Sequence, residues 1–126
     1  MTVSQWTYNR LATSTNILSV TSNITPNYID YSKIPAIAYK HISFSHNGSF
    51  RTEIKSIMCV EETQDKCELL SGYLYTLFDG TSSRIYGMSS QMKVESIDIE
   101  AFQPSVWDSE NRNWFGVLDV RVNYII

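Results

Sequence analysis

Two histidines, two cysteines and one acidic cluster are the groups of this chain that could serve as ligands, nucleophiles or general acids and bases. His41 and His46 lie five residues apart in a β-rich run, a spacing that sends them to opposite faces of a strand and keeps them from sharing a metal ion. His41 reads as a half-buried sheet residue and His46, beside Asn47-Gly48, as solvated. Cys59 and Cys67 raise the possibility of a Cys–His nucleophile pair, with Cys67 at a helix start where a thiol pKa can fall. Against that, Cys67 recurs with Leu70 and Leu74 at helical spacing, the pattern of a packed core thiol. The acids Glu95, Asp98, Glu100, Asp108 and Glu110, with Lys93 and Arg112 nearby, could do acid and base work only if one were desolvated. They alternate with Ile97 and Ile99, which places them on a solvent face. No phosphate loop, G-x-S-x-G, H-E-x-x-H or C-x-x-C occurs. The expectation is therefore no catalytic residue, no metal set and no cofactor.

The elements that position these residues follow from periodicity. Thr2 or Ser4 can cap a short helical start carrying Trp6, Leu11, Ile17 and Leu18. Thr25-Pro26-Asn27 signals a turn, and Ile34 before Pro35 is biased to extended backbone, so residues 21–36 read as a long surface connection. In IPAIAYKHISFSHNGSFRTEIKSIMCV (residues 34–60) two β-rich runs flank Asn47-Gly48, the dipeptide best suited to a type I′ hairpin turn. That turn would pair Ile37 with Met58, His41 with Ile54 and Ser45 with Phe50. It would also set Lys40 against Lys55, an unfavourable pair that a bulge would relieve.

Residues 63–79 change period: Cys67, Leu70, Leu74, Leu77 and Phe78 form one helical stripe, with Thr63 as cap, Asp65 and Glu68 at the positive end and Gly80 as the left-handed stop. Such a stripe covers a sheet. Residues 91–102 form a strand whose apolar set slips phase between Val94 and Ile97, which predicts a bulge near Glu95-Ser96. Residues 103–112 read as a polar turn; Trp107 and Trp114 stand on either side of its tip, aromatics that either fold back on the core or form a contact surface. The closing stretch alternates, with Leu118, Val120, Val122, Tyr124 and Ile126 on the buried face and Asp119, Arg121 and Asn123 on the other.

The predicted architecture is α+β, in one domain of 126 residues. Residues 1–36 form a helical start and a long connection. Residues 37–126 form an antiparallel, mainly four-stranded sheet, with one long helix and a short N-terminal helix packed on one face. Composition agrees: 43% hydrophobic and 18% charged residues is globular, and a net charge of −3 offers no surplus to hold a phosphate backbone. No window resembles a membrane span or a secretory signal, and two thiols without a disulfide framework suit a reducing compartment.

Taken in order, the pieces resemble the tail terminator (tail completion) proteins of long-tailed bacteriophages. The matching segments are PAIAY at residues 35–39, the strand 50–60, the helical stripe of Cys67, Leu70, Leu74 and Leu77, and VLDVRVNY at residues 117–124. The likeness covers roughly residues 30–126 and is one of element order and patterning. It implies a structural virion protein: a ring, hexameric in that family, that caps the tail tube and joins it to the head connector. Its partners would be further copies, the tube protein and the connector protein, with DNA passing through unbound and no membrane involved. Its place would be the head-proximal end of the tail, reached from the host cytoplasm during assembly. On that reading His46, Asn47, Gly48, Ser49, Trp107 and Trp114 contact subunits or tube, while Asp98 and Glu100 face the channel. A neck or stopper protein of the connector is the nearest alternative. A small-ligand or peptide-binding regulatory domain with a ferredoxin-like sheet is the alternative of another class, and a binder of single-stranded RNA would want a basic, aromatic sheet face.

Overall fold

A computed structural model of the protein describes residues 2–79 and 93–126. The N-terminal helix α1 (Val3–Thr13) begins in a capping box: Thr2 Oγ1 accepts from the Gln5 amide while Gln5 Oε1 accepts from the Thr2 amide, at 3.1 and 2.8 Å. Ser14 ends α1 and caps the single turn α2 (Thr15–Leu18). A three-residue strand β1 (Ile24–Pro26) follows, then β2 (Ala36–Asn47), β3 (Phe50–Glu61), α3 (Gln64–Phe78), β4 (Lys93–Asp108) and β5 (Asn113–Ile125). Thr63 caps α3 by accepting from the Lys66 amide, as its position ahead of the stripe predicts. Gly80, the predicted stop, lies outside the described residues.

Among the described residues the sheet has five strands in the order β1-β2-β3-β5-β4, not four, and it is not wholly antiparallel because β1 runs parallel to β2. The expected surface connection thus contains a strand. Three residues are too few for periodicity to reveal, and β1 exists only because Ile37 donates to the Asn23 carbonyl and Asn27 to the Tyr39 carbonyl. The helical count also exceeds the expectation, since α1 is a three-turn helix and α2 a separate turn.

The β2–β3 turn is centred one residue later than Asn47-Gly48 implies. Asn47 pairs with Phe50, the loop is Gly48-Ser49, and Gly48 is the turn residue with positive φ, +63°. A turn with glycine first and a single positive φ is the II′ pattern. Ser45 therefore faces Thr52, and the expected bulge falls at Ile42. Beyond it His41 faces Lys55, Lys40 faces Ser56 and Ile37 faces Cys59, so the two lysines are not opposed. The extra residue also turns His41 and His46 to one face, where the sequence spacing set them apart; their partners Lys55 and Arg51 are still about 13 Å apart along β3.

β4 likewise runs on to Asp108 through the stretch expected to be a turn. Its polar residues are compatible with a strand because β4 is an edge, wet on both sides there. The true turn is residues 109–112, held by the Asp108 carboxylate, which accepts from the amides of Glu110 and Asn111. The phase slip does produce a bulge at Glu95, with further irregularities at Glu100 and between Gln103 and Val106.

One face of the sheet carries the core. Trp6, Leu11, Ile17, Cys67, Leu70, Leu74 and Phe78 from the helices pack on Ile37, Ile57, Cys59, Val94, Ile97, Leu118, Val120, Val122 and Tyr124. Ile126 departs from the predicted buried row and is 63% exposed. Trp6 meets Phe78 edge-on at 6.2 Å, and the Arg10 guanidinium lies over both rings while donating to the Leu77 carbonyl at 2.6 Å. One arginine thus ties α1 to the last turn of α3, where carbonyls lack partners within the helix.

Candidate assembly surfaces

The residues expected to make contacts divide between opposite ends of the sheet. His46, Asn47, Gly48 and Ser49 form the exposed β2–β3 turn. Trp107 and Trp114 face each other across β4 and β5 at the far end, ring centroids 5.3 Å apart, with Trp107 49% exposed. Between the two rows run the twelve residues of β3, about 35 Å of extended chain. The hairpin is not a free arm, because β3 stays paired to β5 out to Phe50 and Ile125.

Asp98 and Glu100 lie on the face away from the helices, as their alternation with Ile97 and Ile99 predicts. Both are committed to one cation: Arg121 reaches Asp98 Oδ2 at 3.3 Å and Glu100 Oε1 at 3.0 Å. Asn123 donates to Asp98 and to Ser96, and accepts from Thr52. The open face therefore presents a linked polar ladder across β3, β5 and β4. The two acids and Arg121 together carry one net negative charge, not two.

The helix-side face holds a charged group that sequence reasoning missed. Lys55, 3% exposed, places its ammonium 3.2 Å from Glu53 Oε1, 3.0 Å from Ser4 Oγ in α1 and 3.1 Å from His41 Nδ1. Glu53 also accepts from the Tyr124 hydroxyl, and burial, together with this bond to a carboxylate, holds that phenol well above its ordinary pKa. The legible signal was Glu53 and Lys55 continuing, at period two, the stripe of Ile57 and Cys59.

Neither thiol meets a histidine. Cys59 Sγ lies 3.3 Å from Ser71 Oγ, and Cys67 Sγ points to the Pro104 carbonyl at 3.5 Å. The hydrogen bond with Cys59 and burial push the Cys67 thiol up, away from thiolate chemistry. Among the described residues no three His, Cys, Asp or Glu side chains gather as a metal set, and no helix is long and apolar enough to cross a membrane. A cavity of about 540 Å³ lies between residues 27–31 and the sheet, lined in part by Tyr28, Tyr31, Lys40 and Met58.

Glu61 is the second buried charge, 4% exposed at the end of β3, and desolvation raises its pKa. A carboxylate whose folded pKa exceeds its unfolded value loses stability as pH rises through the interval between the two. Glu61→Gln is therefore expected to raise the melting temperature at pH 7 and to leave it unchanged near pH 3. Equal melting temperatures of the variant and the natural protein at pH 7 would contradict the burial cost.

No protein-family model and no curated protein sequence matches the chain. A solved structure does: a chain of the virion of a native gene transfer agent (GTA) particle shares the fold with a TM-score of 0.63, over 94% of this chain and 91% of that one. Sequence identity is 7%, so the likeness is one of fold. The ferredoxin-like alternative, which needs a βαββαβ order, does not fit the observed elements among the described residues.

Proposed function

We propose that this protein is a structural subunit of a phage-like virion, a tail terminator whose copies form a ring that caps the tail tube and joins it to the head connector. The observation that carries this reading is the end-to-end fold likeness to a chain of a virion particle. The division of exposed contact groups between the two ends of the sheet supports it. A joining piece needs two different docking ends, and the Gly48 turn and the Trp107–Trp114 pair supply them about 35 Å apart. In this arrangement the strands run along the ring axis and the open face lines the channel. Asp98 and Glu100, held by Arg121, then oppose phosphate contacts that would slow DNA. The ring is six-fold if the family's symmetry applies, and the chain acts by assembly with no chemistry of its own.

Particles produced without this protein should accumulate as separate heads and tails. His46→Ala with Ser49→Ala, and separately Trp107→Ser, alter exposed groups and should leave the fold intact. Electron microscopy of the two sets should show defects of different kinds. One gives tails that lack the protein, the other gives tails that carry it but remain unjoined. Normal joining by both variants would overturn the assignment of the two ends.

A further inference from the structure

Among the described residues, both edges of the sheet carry long unpaired stretches. On β2, the strand β1 covers only Ile37, Ala38 and Tyr39. Among the described residues no strand pairs with the outer side of residues 40–47, all of them exposed, with Ile42 at 48% and Phe44 at 50%. On β4, Pro104 has no amide to give, and the irregularity between Gln103 and Val106 blunts that end. Residues 93–101 are free of proline and, among the described residues, have no strand on their outer side; single bulges at Glu95 and Glu100 interrupt them.

The unpaired stretches lie level with each other. Reading across the ladder, Ser43 faces Ile54, Ile54 faces Arg121 and Arg121 faces Asp98; Ser45, Thr52, Asn123 and Ser96 form the neighbouring row. The edges are opposite in charge as well. Residues 40–47 hold Lys40, His41 and His46 and no acid, whereas residues 93–101 hold Glu95, Asp98 and Glu100 against Lys93. Direction also fits: β2 and β5 run one way, β3 and β4 the other. Rotating a copy about an axis along the strands keeps these directions, so β4 of one copy meets β2 of the next antiparallel.

We infer that copies of this chain join edge to edge, residues 40–47 of one pairing with residues 93–101 of the next, so that a single sheet continues from subunit to subunit around the ring. Unpaired edge strands template pairing with another chain, here with Ile42 and Phe44 exposed on the β2 edge, and one head-to-tail contact used repeatedly closes into a ring. The contact satisfies backbone groups that water holds in the monomer, and brings Lys40 toward the Asp98–Arg121–Glu100 group. The inference rests on the ring reading proposed above.

The test compares amide hydrogen exchange in the monomer and in the assembled ring, free or on tails. Peptides covering residues 40–47 and 93–101 should slow roughly tenfold or more on assembly, while those from α3 should not change. Lys40→Glu should abolish rings with the monomer's melting temperature unchanged, and Lys40→Glu combined with Glu100→Lys should restore them. Rings that form while both edge peptides exchange as in the monomer, or that tolerate Lys40→Glu, overturn the edge contact and leave the ring standing. Failure of the natural protein to form a ring even on tube ends overturns both.

Discussion

Glu53→Ala is expected to destabilise the protein by about 3–5 kcal/mol, the range for removing one partner of a buried ion pair. The loss is large because the Lys55 ammonium, 3% exposed, would keep only a serine hydroxyl and an imidazole nitrogen for company. The Tyr124 hydroxyl would lose its acceptor in the same step. Set against about 5–15 kcal/mol for a typical domain, this approaches unfolding at moderate temperature. Replacing both partners with apolar residues, Glu53→Leu with Lys55→Met, should cost far less, since no charge is then left stranded. Urea unfolding of the natural protein and of the single and double variants measures the difference; a single variant as stable as the double one would sink the idea. The same network sets an alkaline limit. Because the folded Tyr124 pKa is raised, its contribution is complete below the ordinary tyrosine value of about 10 and is lost as pH climbs above it. Tyr124→Phe should flatten that decline.

Gly116→Ala is the second large effect. A Cβ at Gly116 would lie 2.0 Å from Ser71 Oγ, 3.0 Å from the Pro104 carbonyl oxygen and 3.1 Å from Cys59 Sγ. Ser71 has little room to yield, because its hydroxyl donates to Pro104 at 2.7 Å and lies 3.3 Å from Cys59 Sγ, bridging α3, β4 and β3. Overpacking of about 1–3 kcal/mol and a lost hydrogen bond of about 1 kcal/mol together predict roughly 2–4 kcal/mol. Ser71→Ala removes the nearest atom, so Gly116→Ala should do much less harm in that background. Equal penalties in the two backgrounds would show that the helix seats on the sheet in some other way. Here the glycine answers to space and not to backbone angle, since the left-handed residues of the described chain are Gly48, Asn27 and Arg112.

Elements with a long period were legible in the sequence. The α3 stripe with its Thr63 cap, the alternation of Leu118, Val120, Val122 and Tyr124, and the bulge at the Val94–Ile97 phase slip all stand in the structure. Each is a local rule, in which the spacing of side chains names the face that must be buried. The exposed turn was legible from turn chemistry; the tryptophans, open in the sequence between core and surface, divide, with Trp107 exposed and Trp114 half-buried against the core.

What sequence could not decide is whatever depends on which strand lies next to which. A three-residue strand has no period, so β1 became visible only where β2 offered it backbone partners. Residues 103–108 are polar and read as a turn, but an edge strand wet on both sides has the same composition. The hairpin turn lies one residue later than its dipeptide implies, since register follows the buried rows: Ile37 faces Cys59, both in the core, and not Met58. Asp98 and Glu100 looked like two free charges until Arg121 was brought beside them from a strand more than twenty residues away. Local patterning was enough to set which faces are apolar, where the long helix starts and where the charges sit along each strand. The folded sheet decided the neighbours, and with them the group of Glu53 with the buried Lys55 and Tyr124 and the edges left unpaired among the described residues, because pairing in space is set by the whole sheet and not by any window of residues.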